Sequence, residues 1–201
     1  MVDKSEKIKF KHLESFTSKE GYWDTLGCID IAKDIIEITN IKSLLEIGFN
    51  IGYSANIWLQ NGIEILYVID INFHEDTLPA IKATLNYPDY YNKEIRIWLG
   101  DSLTPVAFDI KDFNLVDATF IDGHHSYIAV LLNTYLAINY GSKYIILDDV
   151  DENDLDSNMS IYKAYNKLVD LGLIELIKKY KMESTGGNGY IYLCKTLLKD
   201  N

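Results

Sequence analysis

The sequence predicts an α/β protein built on a doubly wound, mostly parallel seven-stranded sheet that closes in a C-terminal antiparallel hairpin. Three observations lead there. Five short apolar runs with the β-branched content of buried strands alternate with helix-length segments between residues 43 and 147. That alternation implies parallel pairing through right-handed crossovers, with helices on both faces. Two further strand-like runs then flank the turn-forming stretch 184–188, which suits antiparallel neighbours. A length of 201 residues fits one domain, taken as 21–201 behind an N-terminal arm over 1–20, and 48% hydrophobic residues can fill its core.

The arm is lysine-rich and weakly periodic, and reads as a segment or short helix that packs late or closes over a site. Over 22–39, Cys28, Ile31, Ala32, Ile35 and Ile36 recur at helical spacing among Asp30, Lys33, Asp34 and Glu37, which makes an amphipathic helix. Strands are expected at 43–47, 65–69, 95–98, 116–121 and 143–147. The helix over 53–60 ends at Asn61-Gly62, a left-handed stop, and the helix over 75–86 carries Pro79 near its first turn, where the missing amide is harmless. The helix over 126–140 is apolar on nearly all sides, stops at Gly141 and is expected to be largely buried. A last helix over 158–170, capped by Ser157 or Asn158 and stopped by Gly172, precedes strands at 173–179 and 189–194.

Composition narrows the partners. The 19 basic against 30 acidic residues leave a net charge of -11, which repels nucleic acid at long range. No apolar run reaches the roughly 20 residues needed to span a bilayer, so a membrane is not expected either. Cys28 and Cys194 have no metal-ligand spacing and give no support for a disulfide framework, which fits a reducing, cytoplasmic setting. A homodimer stays open.

The chemistry-bearing residues stand at strand ends. The first strand runs into Glu46-Ile47-Gly48-Phe49-Asn50-Ile51-Gly52-Tyr53-Ser54, where glycines four apart let the backbone turn sharply and the following helix aims its amides at a ligand. A tight turn without a ligand would look the same. A pyrophosphate-binding loop has G-x-G-x-x-G instead, so an NAD-dependent oxidoreductase is disfavoured. Asp70 ends the second strand, where doubly wound folds hold a ribose diol, and Gly100-Asp101-Ser102 ends the third, with Ser102 placed to cap the next segment. A solvated strand-end acid is the alternative at each. Asp122 ends the fourth strand and Asp148-Asp149 the fifth; strands about 4.8 Å apart bring them together. Three carboxylates so close repel one another unless a cation sits among them, and all-oxygen ligation suits Mg²⁺ better than zinc. The competing reading is an acidic rim continued by Asp151, Glu152, Asp154 and Asp156. His125 lies three residues past Asp122, where a base could face a bound hydroxyl, and His124 beside it is the alternative base. Capping or core histidines are the plainer reading of both. Tyr22, Trp23, Tyr53, Trp98 and Tyr127 are aromatic candidates for a pocket, while His12 and His74 read as surface residues.

Together, E-x-G-x-x-x-G, the acid ending strand two and Gly-Asp-Ser after strand three resemble the class I S-adenosylmethionine-dependent methyltransferases over roughly residues 40–195. Ile121-Asp122-Gly123-His124-His125-Ser126-Tyr127 resembles the signature of a subgroup related to the macrocin and catechol-type O-methyltransferases. The resemblance implies a Rossmann-like methyltransferase fold. It also implies S-adenosylmethionine held by Glu46, Gly48, Asn50, Gly52, Tyr53, Asp70, Asp101, Ser102 and Asp122, and Mg²⁺ held by Asp122, Asp148 and Asp149, with Asp149 standing where the catechol type has Asn. The expected function is methylation of a hydroxyl on a small-molecule acceptor, with His125 or His124 as base. The alternatives are a metal-independent methyltransferase acting on another acceptor, and a non-catalytic S-adenosylmethionine-binding or scaffold protein.

Overall fold

The computed structural model describes residues 6–16, 23–71, 74–104, 116–182 and 189–197. Tyr22, Asn72, the turn 184–188 and the remainder of the arm lie outside the described residues. In chain order the elements are α1 (Leu26–Thr39), β1 (Ser43–Ile47), α2 (Tyr53–Gln60), β2 (Ile65–Asp70) and α3 (Thr77–Leu85). A 3₁₀ turn (Pro88–Tyr90) leads to β3 (Glu94–Leu99), β4 (Ala118–Ile121) and α4 (Tyr127–Asn139). They are followed by β5 (Tyr144–Val150), α5 (Ile161–Asp170), β6 (Ile174–Lys181) and β7 (Tyr190–Thr196). The seven strands form one sheet in the order β3-β2-β1-β4-β5-β7-β6. β7 runs antiparallel to both its neighbours and the other pairings are parallel.

Strand alternation sorts the core into two layers. Leu44, Leu66, Val68, Phe120 and Ile146 share one face with residues of α1, α2, α3 and the segment around Phe10, Leu13 and Trp23. Leu45, Ile47, Ile69, Ile121 and Leu147 lie on the other, against α4 and α5. Both cysteines are buried and neither forms a disulfide. Among the described residues, no helix is long and apolar enough to cross a membrane.

Several elements differ from expectation for identifiable reasons. α1 begins at Leu26 rather than near residue 22, because Trp23 is drawn into the core and Thr25 is extended, bridged to Lys7. α5 begins after Ser160, whose hydroxyl accepts from the Lys163 amide at 3.0 Å; Ser157 instead donates to the Asp154 carboxylate. α4 buries Ala129, Val130, Asn133 and Ala137 but leaves Ile128, Leu132 and Tyr135 at 57%, 43% and 54% exposure, so one face of this uncharged helix meets solvent. His12 is a packed residue, stacked on Tyr87 at 4.0 Å and hydrogen-bonded to Asn56 at 2.9 Å.

The turn after β1 depends on Gly48. Its φ is +98°, and a Cβ there would stand 2.2 Å from the Asp122 carbonyl oxygen, a backbone atom that cannot swing aside. The glycine is therefore required by the fold itself. At Gly62 φ is +120° but nothing lies within 4 Å of a Cβ. Gly62→Ala should cost about 1–3 kcal/mol from backbone strain alone, and Gly48→Ala should cost more because strand ends must also separate. Urea unfolding of the two variants checks the order, and equal losses would contradict this account.

Candidate functional site

Register places the acids. The strands pair Ile69 with Ile47, Ile47 with Ile121 and Ile121 with Leu147. One residue further along each chain come Asp70, Gly48, Asp122 and Asp148. By alternation these side chains belong to the face that carries Trp23, α1 and α2, and Glu46, two residues before Gly48, belongs to the same face.

Glu46 lies wholly inside, with its Oε1 accepting from the Ser54 hydroxyl in the first turn of α2 and its Oε2 buried without a partner. Burial pushes its carboxyl well above the ordinary carboxylate range, and the charges of Asp122 and Asp70 push the same way. Asp70 accepts from the Phe49 and Asn50 amides at 2.6 and 3.1 Å, so it fixes the glycine loop. Asn50 itself is left-handed, with φ of 52°. Gly52 precedes α2 with φ of 81°, and Tyr53 packs its ring 5.5 Å from Phe10.

The pair at the end of β5 occupies a bulge. Leu147 faces Tyr192 and Val150 faces Tyr190, so Asp148 and Asp149 together oppose Ile191. Asp149 takes φ of 50°, and the bulge lets consecutive aspartates serve one site rather than opposite faces. Asp148 is buried, and its Oδ2 accepts from the Trp23 indole at 2.8 Å while Oδ1 has no partner. His125 stands between the other two acids, with Nε2 3.6 Å from Asp122 and Nδ1 3.8 Å from Asp149. Desolvation, and then the charges of their neighbours, push both Asp122 and Asp148 well above the usual range; His125 opposes the effect at Asp148.

The structure thus brings Glu46, Gly48, Asn50, Gly52, Asp70, Asp122, His125, Asp148 and Asp149 to one edge of the sheet. Asp101 is exposed and turned to its own loop, where its carboxylate accepts from the Leu103 amide at 2.9 Å; the cap there is Asp101 rather than Ser102. His124 is exposed and bonded to Ser126 at 2.9 Å, so of the two histidines His125 lies with the carboxylates. Beyond the pair, the acids have local partners: Asp151 and Asp154 bind turn amides, and Glu152 accepts from Lys179 and Tyr192. Among the described residues no three His, Cys, Asp or Glu side chains stand in an arrangement that could hold a metal ion. In chemistry alone the donors suit a hard divalent ion, since they are carboxylate oxygens, one of them, Asp148 Oδ1, buried without an N–H or O–H donor. Ser54 and Asn56 join the site although no motif role marks them in the sequence. A buried Asn inside an apolar helix is the available signal, and here Asn56 donates to the Gly52 carbonyl at 2.7 Å.

No protein-family model matches the sequence, and no curated protein matches it. Solved structures do match in fold. The O-methyltransferase TomG of Streptomyces achromogenes, in complex with S-adenosylmethionine, superposes with a TM-score of 0.66 at 14% identity, over 94% of this chain and 91% of that one. An O-methyltransferase of Bacillus cereus, in complex with S-adenosylhomocysteine, gives 0.65 at 14%, over 91% and 83%. The magnesium protoporphyrin IX methyltransferase of Synechocystis with bound S-adenosylmethionine gives 0.63 at 13%, over 85% and 78%. The chain has the Rossmann-like methyltransferase fold, a mostly parallel seven-stranded sheet with a C-terminal antiparallel hairpin.

The raised pKa values fix a sign. The folded chain holds a proton on Asp148 at pH values where the unfolded chain, near its ordinary 3.8, has released it. The native state then binds more protons, so this group's contribution to stability falls as pH rises above that value. Without divalent cations, Asp148→Asn should melt above the parent, with a gain that grows as pH rises above about 4. A gain independent of pH would remove Asp148 from the desolvated cluster.

Proposed function

We propose that the protein is an S-adenosylmethionine-dependent methyltransferase that methylates a hydroxyl oxygen of a small molecule, with Mg²⁺ held by Asp122, Asp148 and Asp149. One observation carries the proposal: carboxylates collect at the carboxyl ends of β1, β4 and β5, Glu46 and Asp148 among them buried, with the His125 imidazole in reach of Asp122 and Asp149. Such a cluster favours cationic ligands. The first would be a sulfonium, and two of the solved structures that share the fold hold S-adenosylmethionine. The buried, unpartnered oxygen of Glu46 under the glycine loop supports the fit.

Bound, S-adenosylmethionine supplies the methyl group on its sulfonium. A bound divalent ion would lower the pKa of the acceptor hydroxyl. The chain does the rest by positioning, which can remove much of the barrier to a two-substrate transfer. Asp70 holds the loop amides of Phe49 and Asn50, and Ser54 holds Glu46 at the start of α2. His125 takes the hydroxyl proton, standing 3.6 Å from Asp122 and 3.8 Å from Asp149. That same placement favours a second reading, in which histidinium balances the carboxylates and no metal takes part. Acceptor turnover also separates both readings from a binding or scaffold role.

Calorimetry with S-adenosylhomocysteine, with and without Mg²⁺, tests the proposal. Binding is expected in both conditions, and Asp70→Ala should weaken it by about 1–3 kcal/mol, as for the loss of hydrogen bonds to a charged acceptor. Absence of binding would overturn the methyltransferase reading. Metal-independent turnover of a hydroxylated acceptor would favour the second reading.

A further inference from the structure

We propose that Trp23 is a positioning residue for the reacting centre: its indole N–H holds one oxygen of Asp148, so that the other is presented to a bound cation. The inference deepens the proposed function and rests on its reading of Asp148 as a metal ligand.

Trp23 precedes α1 and lies 125 residues from Asp148 in the chain, yet its Nε1 donates to Asp148 Oδ2 at 2.8 Å. Both residues are 3% exposed. The indole is wedged between Trp58, 5.3 Å away at a 40° tilt, and Phe120, 4.9 Å away and edge-on. Its position is therefore set by packing that does not involve Asp148. An indole donates and cannot accept, so it has one way to be satisfied here. An aspartate, by contrast, rotates broadly about χ2. A fixed donor against a rotatable acceptor selects one orientation of the carboxylate, because turning away would leave a buried N–H without water or protein to bond. The selected orientation leaves Oδ1 buried without an N–H or hydroxyl donor, in a carboxyl that lies within hydrogen-bond reach of Asp122 and on which the charges of Asp122 and Asp149 both act. Hydrogen bonds to ligating carboxylates govern metal sites in this way, and removing such a partner typically costs about 10–100-fold in metal affinity.

The test uses the chain of residues 1–201 saturated with S-adenosylhomocysteine, with Mn²⁺ as the probe. Trp23→Phe keeps an aromatic ring in the wedge and removes only the donor. It should fold, bind S-adenosylhomocysteine as the parent does, and bind Mn²⁺ about 10–100-fold more weakly by calorimetry. A second measurement does not depend on that variant folding. In the ¹⁵N-labelled parent sequence, which has three tryptophans, Asp148→Asn should shift the Trp23 indole resonance, since the acceptor changes from a carboxylate to an amide. If Trp23→Phe binds Mn²⁺ like the parent while Asp148→Asn does not, or if the indole resonance stays put in Asp148→Asn, this inference is overturned and the proposed function stands. A parent that binds no Mn²⁺ overturns the metal reading and this inference with it.

Discussion

Everything at the candidate site depends on the close passage of two backbones at the end of the sheet. Gly48 turns the chain out of β1 against the Asp122 carbonyl at the end of β4, and it can do so because it has no side chain. In the row Asp70, Gly48, Asp122, Asp148, glycine occupies the central strand's place. The gap it leaves lets the loop fold back, so that its amides reach Asp70. Any side chain at position 48 would move the row apart before it interfered with a ligand.

The second constraint is electrostatic. A chain of net charge -11 already repels itself, and gathering Glu46, Asp122, Asp148 and Asp149 at one edge concentrates that repulsion around the buried Glu46 and Asp148. Isolated folding would favour removing these groups. Elsewhere in the molecule, Asp34 with Lys178 and Tyr180, and Glu152 with Lys179 and Tyr192, are held below the ordinary carboxylate range. The fold thus has ordinary means of satisfying an acid and applies them only in part at the sheet edge, where Glu46 and Asp148 each keep one buried oxygen without an N–H or hydroxyl donor.

How much of this the sequence could reveal depends on how local each determinant is. β1 and α2 run over the residues expected, because Asn61-Gly62 and the glycine loop punctuate them in sequence. The strand-end acids are equally visible, since each is the last residue of its apolar run or lies just past it. The start of α1 is hidden because Trp23 answers to Trp58, Phe120 and Asp148, none of them near it in the chain. Ser160 as the α5 cap depends on how residues 151–160 fold on themselves, and three nearby Ser and Asn residues carry the same local signal. The exposure of Ile128, Leu132 and Tyr135 is invisible because an apolar helix states what it could bury and not what covers it.

The bulge at the end of β5 has a consequence for how such a site can diverge. Asp149 sits in left-handed backbone, a conformation that Asp and Asn tolerate far better than other residues with side chains. Replacement by Asn would therefore keep the chain path and an oxygen donor while removing one negative charge. Asp and Asn codons differ at a single base. The charge of this sheet edge can thus be retuned in one mutational step without rebuilding the scaffold that supports it.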